Sequence, residues 1–224
     1  MFNLDKNTIN GFTSKAQAIK YLRERGHNIH TLLASPESNP KIEKNGKVVN
    51  IFTYALHLAP FNLSGFQVCA MASEGCAKAC LHTAGNPAYM DTKEQSRIAK
   101  TRAYFQEREA FLAVLVFEMI AAWKKAQKNK QEIAFRLNAT SDLPWEKRVV
   151  SINGEKVFIF DLFKESASTM IWCKSGAGGD ISVTAPTAEA LLADMGARMD
   201  AQRGYSVATL NLDHVVKLAR DPAF

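Results

Sequence analysis

Apolar positions along this chain recur at two different spacings, and the change from one to the other lays out most of its elements. In residues 14–25, Ala18, Ile19 and Leu22 fall at helical intervals, Thr13 or Ser14 stands where an N-cap belongs, and Gly26 follows the last periodic residue. This predicts a short amphipathic helix. The next stretch, "ASPESNPKIEKNGK" (34–47), is polar and turn-rich. It leads into "VVNIFTYALHLAP", whose β-branched and aromatic residues predict a strand closed by Pro60. A loop carrying cysteines comes after it. From Thr92 to Lys128 the spacing is helical again: "TKEQSRIAKTRAYFQ" is basic and amphipathic, and "REAFLAVLVFEMIAAWKKAQ" is apolar enough to lie against a sheet. Two helices or one long bent helix satisfy that pattern.

Further on, "EIAFRLN" predicts a strand, "ATSDLPWE" a loop, and "RVVSINGEKVFIFDLF" a hairpin turning at Asn153-Gly154. Strand, helix, strand in that order points to α/β layering. After Phe163, "KESASTMIWCKSGAGGD" is small, polar and glycine-rich without a clear period, and reads as a linker. "APTAEALLADMGARMDAQRG" then predicts a capped helix, "YSVATLNL" a strand and "DHVVKLAR" a final short helix. The expected fold is α/β, a partial barrel-like or open sheet with flanking helices, plus a small C-terminal βαβ-like appendage. Its expected divisions are a domain over 1–163, a linker over 164–180 and an appendage over 181–224.

Composition narrows the setting. With 224 residues and 47% hydrophobic positions, the chain can bury a real core. The opening residues Met-Phe-Asn-Leu-Asp-Lys lack the marks of a signal peptide, so reduced cysteines and a cytoplasmic location are expected. The most apolar run, around Phe111 to Trp123, is interrupted by Glu118 and closed by Lys124 and Lys125, and no membrane span is expected. A net charge of +6 is a modest excess that would attract nucleic acid or phosphate-bearing ligands nonspecifically, and an ordinary solvated surface accounts for it better.

The densest candidate chemistry is "CAMASEGCAKACLH", residues 69–82, which holds Cys69, Cys76 and Cys80 out of four cysteines in all. A disulfide, a metal or iron–sulfur site, and thiols packed as small hydrophobes compete for it. A disulfide would strand one thiol and belongs in an oxidising compartment. On a helical turn Cys76 and Cys80 would face one side, with Cys69 reaching back from the preceding loop. Three converging thiolates repel one another unless a cation lies between them, which is the setting of zinc and of iron–sulfur clusters. Zinc would need a fourth ligand, for which His82 and the distant Cys173 are the candidates. A cluster held by three cysteines would keep one iron open, although the spacing here is not the C-x3-C-x2-C of radical S-adenosylmethionine enzymes. Three unligated thiols beside a turn is the other open reading.

"RLNATSD", residues 136–142, gathers donors and acceptors at the carboxyl end of a predicted strand, where α/β folds bind ligands. Arg136 suits a carboxylate or phosphate, Asn138 and Thr140 would hydrogen-bond it, and Asp142 would serve as a base or ribose contact. Ser141 and Asp142 equally suit a turn cap, and Trp145 a packing lid.

"CAMASEGCAKACLHTAGN", "RIAKTRAYF" and "RLNATSDLPWE", in that order, resemble the phage gene product 88 family over about residues 45–163. The resemblance implies a bacteriophage or prophage origin and a host-cytoplasmic setting. It also implies a cysteine-ligated centre related to radical S-adenosylmethionine barrels, with Cys69, Cys76, Cys80, Arg136, Asn138, Thr140, Ser141 and Asp142 as the residues carried over. Residues 181–224 resemble the opening strand, helix and strand of the WecG/TagA/CpsF glycosyltransferases, without the long catalytic body, so transferase activity is not expected. Two functions follow as expectations. One is an enzyme whose iron–sulfur centre binds S-adenosylmethionine or a nucleotide. The other is a noncatalytic phage accessory or host-takeover factor with a structural zinc, contacting nucleic acid or a host protein.

Overall fold

The computed structural model describes residues 7–38, 43, 51–70, 72, 74–78, 80, 91–163, 169–175 and 180–184. Helix α1 (Lys15–Glu24) forms where its local chemistry requires: the Ser14 hydroxyl accepts from the Gln17 N–H, and Ala18, Ile19 and Leu22 make the buried stripe. Gly26, at φ +84°, ends it in the left-handed conformation. The chain continues through β1 (Leu33–Ala34), β2 (Ile51–Leu56) and a short helix α2 (Glu74–Lys78) into α3 (Asp91–Gln106) and α4 (Arg108–Lys128). The predicted helical stretch is therefore two helices. They part at Glu107, which leaves helical dihedrals, and its carboxylate meets Arg25 at 3.5 Å.

After α4 come β3 (Glu132–Arg136), the hairpin β4 (Val149–Ile152) and β5 (Glu155–Phe158), then β6 (Thr169–Ser175) and β7 (Asp180–Thr184). The Asn-Gly turn behaves as the sequence predicts. Asn153 and Gly154 both adopt positive φ, +52° and +92°, and Ile152 pairs directly with Glu155. The main sheet runs β1-β2-β3-β6-β7, parallel at its centre and antiparallel at both edges, while β4 and β5 pair separately. This is an open α/β sheet with flanking helices, and the described residues close no barrel. No helix among them is long and apolar enough to cross a membrane.

One expectation changes. Residues 164–180 read as a linker, yet 169–175 are β6, paired in parallel with β3 from Ile133–Thr169 to Arg136–Trp172. The reason is that a strand inside a parallel sheet shows a short apolar run, here Met170-Ile171-Trp172, and no alternation to mark it. β7, at the start of the expected appendage, pairs antiparallel with β6. The helix and strand expected beyond it, in residues 185–224, lie outside the described residues.

Helix α4 carries the crossover from β2 to β3, and Ala110 through Val116 are all buried. Its one charged group in this setting is Glu118, itself buried. That carboxylate accepts from the Leu32 N–H (3.0 Å), the Leu33 N–H (2.8 Å) and the Thr31 hydroxyl (2.8 Å), and it pairs with Lys15 at 2.6 Å. It thereby satisfies the amides that lead into β1 and ties α1 and β1 to α4. Replacing Glu118 with Ala orphans two amides and a hydroxyl together. We expect a loss of about 3 kcal/mol in urea unfolding, with Glu118→Gln, which keeps an acceptor, losing clearly less.

Candidate functional site

Because β2 and β3 run parallel, with Ala55 opposite Arg136, the chain leaves both strands at the same edge of the sheet. The two loops that follow are joined there. The Ala139 N–H donates to Leu56 O (3.3 Å), the Thr140 hydroxyl to Leu58 O (2.6 Å), and the Asp142 N–H to Val68 O (2.9 Å). Val68 immediately precedes Cys69, so the cysteine loop and the 136–142 loop form one structure at the carboxyl edge, the place where α/β folds bind ligands.

Within that edge, Asn138 acts as the organiser of its own loop. Its Oδ1 accepts from the Ser141 hydroxyl (2.9 Å), the Leu143 N–H (3.1 Å) and Trp145 Nε1 (2.8 Å), and its Nδ2 donates to Leu143 O (2.8 Å). Asn138 and Ser141 are buried, and Trp145 is wholly so, 5.3 Å from Tyr104 between ring centroids. The hydrogen-bonding groups of Asn138, Thr140 and Ser141 thus face the loop and its neighbour. Arg136 and Asp142, the other members of the predicted set, are half-buried.

The structure brings two of the predicted cysteines together. Cys69 is half-buried and Cys80 is buried. Burial pushes the Cys69 thiol up. Hydrogen bonding from the Phe61 and Asp142 backbone works against that, while the Asp142 carboxylate and Cys80 add to it. Asp142 and Cys80 are therefore each within electrostatic reach of Cys69. Cys76 sits in α2, but its side chain lies outside the described residues, as do His82 and the side chain of Cys173. Among the described residues no group of three or more His, Cys, Asp or Glu is placed to hold an ion.

Sequence reasoning missed His57. It follows β2 directly, two residues beyond Ala55 and so on the face that Ala55 shares with Arg136. Burial, then the charges of Arg97, Lys100 and Arg136, lower its pKa to about 4. Two of those cations come from α3, which is anchored at this point. Thr101, fully buried, accepts from the Ala59 N–H (2.8 Å) through its hydroxyl and donates to Arg97 O (2.9 Å), and the Lys100 ammonium donates to Leu32 O (2.9 Å). The available signal was a histidine at a strand's carboxyl end together with Arg97, Lys100 and Thr101 at helical spacing. Nothing in a linear sequence says that α3 lies over that strand end.

A family model described as Gene product 88 matches residues 29–172, from the approach to β1 into β6. No curated protein and no solved structure matches the chain.

Two measurements check this edge. Asn138→Ala removes the shared acceptor of Ser141, Leu143 and Trp145, and should lower unfolding stability by about 2 to 4 kcal/mol in urea titrations. For His57, the unfolded imidazole titrates near 6.5 and the folded one near 4, so on acidification the unfolded chain gains a proton that the folded chain refuses. Stability should fall by about 3 kcal/mol as pH drops through that window and stay level below it. His57→Gln should remove this part of the pH profile, measured as urea midpoints at each pH.

Proposed function

This chain belongs to the gene product 88 family, and from that premise we propose that it is a phage-encoded enzyme with a cysteine-ligated iron–sulfur centre, held by Cys69, Cys76 and Cys80 at the carboxyl edge of its central sheet. The observation that carries this reading is the approach of Cys69 and Cys80, beside Asp142, on the loop fastened to the end of β3. The Cys69 thiol ionises reluctantly, because burial and a neighbouring carboxylate both oppose the thiolate. A cation between it and Cys80 would reverse that balance, and the donor set fits a thiophilic metal. When bound, an iron–sulfur cluster on three cysteines supplies one iron open to a ligand such as S-adenosylmethionine or a nucleotide. The chain's own contribution is positional: Asn138 fixes the 136–142 loop, and the Asp142 N–H holds the cysteine loop through Val68.

The basic α3 favours a second reading: a noncatalytic factor that meets nucleic acid or a host protein, in which Cys69, Cys76 and Cys80 hold a structural zinc with His82 or Cys173 as the fourth ligand. Metal and sulfide analysis of anaerobically purified protein separates the two. We expect brown protein with about four irons per chain, and colour lost in Cys69→Ala, Cys76→Ala and Cys80→Ala alike. Colourless protein with about one zinc per chain would select the second reading. Anaerobic protein holding neither metal would dismiss the shared centre.

A further inference from the structure

Buried side-chain atoms without a hydrogen-bond partner occur at several points among the described residues, Asn7 and His57 included, but three converge on one place: the Tyr104 hydroxyl, Arg108 Nε and Arg148 Nε. The Arg108 guanidinium lies over the Tyr104 ring with its Cζ 5.1 Å from the centroid, and the Arg148 Cζ stands 5.8 Å from the same point. Arg148 comes near the Tyr104 hydroxyl without closing a hydrogen bond on it. Tyr104 is wholly buried, met edge to face by Phe105 (5.1 Å) and Phe111 (5.4 Å) and tilted against Trp145 at 5.3 Å. The backbone fixes both arginines: Arg108 opens α4, while the Arg148 N–H donates to Trp145 O (3.0 Å) and its carbonyl accepts from the Ile159 N–H (2.9 Å). Each is half-buried, and among the described residues neither guanidinium has an ion-pair partner. Glu107, the acid that precedes Arg108, is engaged with Arg25 at 3.5 Å.

We propose that Arg108 and Arg148, carried on the Tyr104 ring where α4 begins and the β4–β5 hairpin is entered, bind the phosphate group of a small molecule. A guanidinium that has lost part of its water and faces no carboxylate gains from an anion that brings acceptors in the water's place. The cluster itself is rich in donors, five N–H on each guanidinium and the phenol O–H, so its ligand has to supply both the acceptors and the negative charge. Two planar guanidinium forks approaching one group need oxygens in more than one plane. A tetrahedral phosphate has them and a carboxylate does not. Half-buried arginines resting on a buried ring suit one compact group better than a run of phosphates along a nucleic-acid strand. The aromatic surround also limits the freedom these side chains lose on binding. This site goes beyond the cysteine centre and does not depend on it. None of its residues is a thiol, and it meets the 136–142 loop through Trp145, whose Nε1 donates to Asn138.

The test uses the full chain, with metal content measured on each sample so that loss of the cysteine centre and loss of the phosphate site are read separately. Inorganic phosphate and a nucleoside monophosphate are titrated against chloride at matched ionic strength, with acetate and a short single-stranded DNA as further arms. The melting temperature is followed together with the Nε–H resonances of Arg108 and Arg148, which report the two guanidiniums directly. We expect a saturable rise in melting temperature and saturable shifts of both resonances with phosphate and the monophosphate. Arg108→Gln and Arg148→Gln should each bind roughly tenfold or more weakly. Arg108→Lys, which keeps the charge and loses the fork, should retain part of the affinity. Should a Gln variant unfold, the resonances of the unaltered chain still decide the outcome. Phosphate effects no larger than those of chloride would overturn the proposal, as would shifts that bypass both arginines or affinity unchanged in both Gln variants. An equal response to acetate would overturn the phosphate assignment, and a response to the DNA alone would overturn the small-molecule assignment.

Discussion

The parallel pairing of β2 with β3 is the constraint on which the rest of this structure depends. Parallel neighbours cannot be joined by a tight turn, so the chain must leave the end of β2, cross a face of the sheet and return to the start of β3. That crossover contains the cysteine loop, α2, α3 and α4. It explains why α4 is apolar on most of its circumference and why β3 is buried at Ile133, Ala134 and Phe135 in succession. It also puts the two chemistry-bearing loops at one edge, because both follow strands pointing the same way.

Once the crossover is fixed, the buried polar groups decide how its parts are held. Glu118 would be costly in the middle of α4 without partners, and it is given the amides entering β1 together with Lys15. Asn138 has the same role on a smaller scale, converting a loop of small polar residues into a fixed shape under Trp145. Each removes an energetic penalty by satisfying several groups at once. His57 differs in kind: burial and the charges of Arg97, Lys100 and Arg136 disfavour its imidazolium, and its buried Nδ1, like Asn7 Nδ2 and the Tyr104 hydroxyl, has no hydrogen-bond partner among the described residues.

The cysteine loop and the cationic cluster lie along the same edge but are reached by different residues. Cys69 is tied to β3 through Val68 and Asp142, whereas Arg97 and Lys100 come from α3 and depend on Thr101 for their position. The proposed metal–thiolate centre would therefore share no side chains with that cluster. Positive charge nearby would also moderate the negative charge of such a centre.

Local chemistry in the sequence determined the elements whose signals are complete within a few residues. Ser14 and Gly26 bound α1, Asn153-Gly154 turns the hairpin, and the β-branched run before Pro60 contains β2. It also placed the polar loop at the end of β3. What it could not determine were relations that exist only between distant segments. β6 carries a short apolar run without alternation, as strands of largely parallel sheets do, so Met, Ile and Trp within small polar residues read as a linker. Asn138, Thr140 and Ser141 look like ligand contacts in a linear reading, and only the folded loop shows their hydrogen bonds closing on Leu143, Trp145 and Leu58. His57, Arg97 and Lys100 are ordinary residues in sequence and become a cluster when Thr101 fastens α3 over the end of β2. Caps and turns are written in neighbouring residues because their hydrogen bonds are local, whereas a site at a sheet edge is made by the crossover, whose path the tertiary structure alone decides.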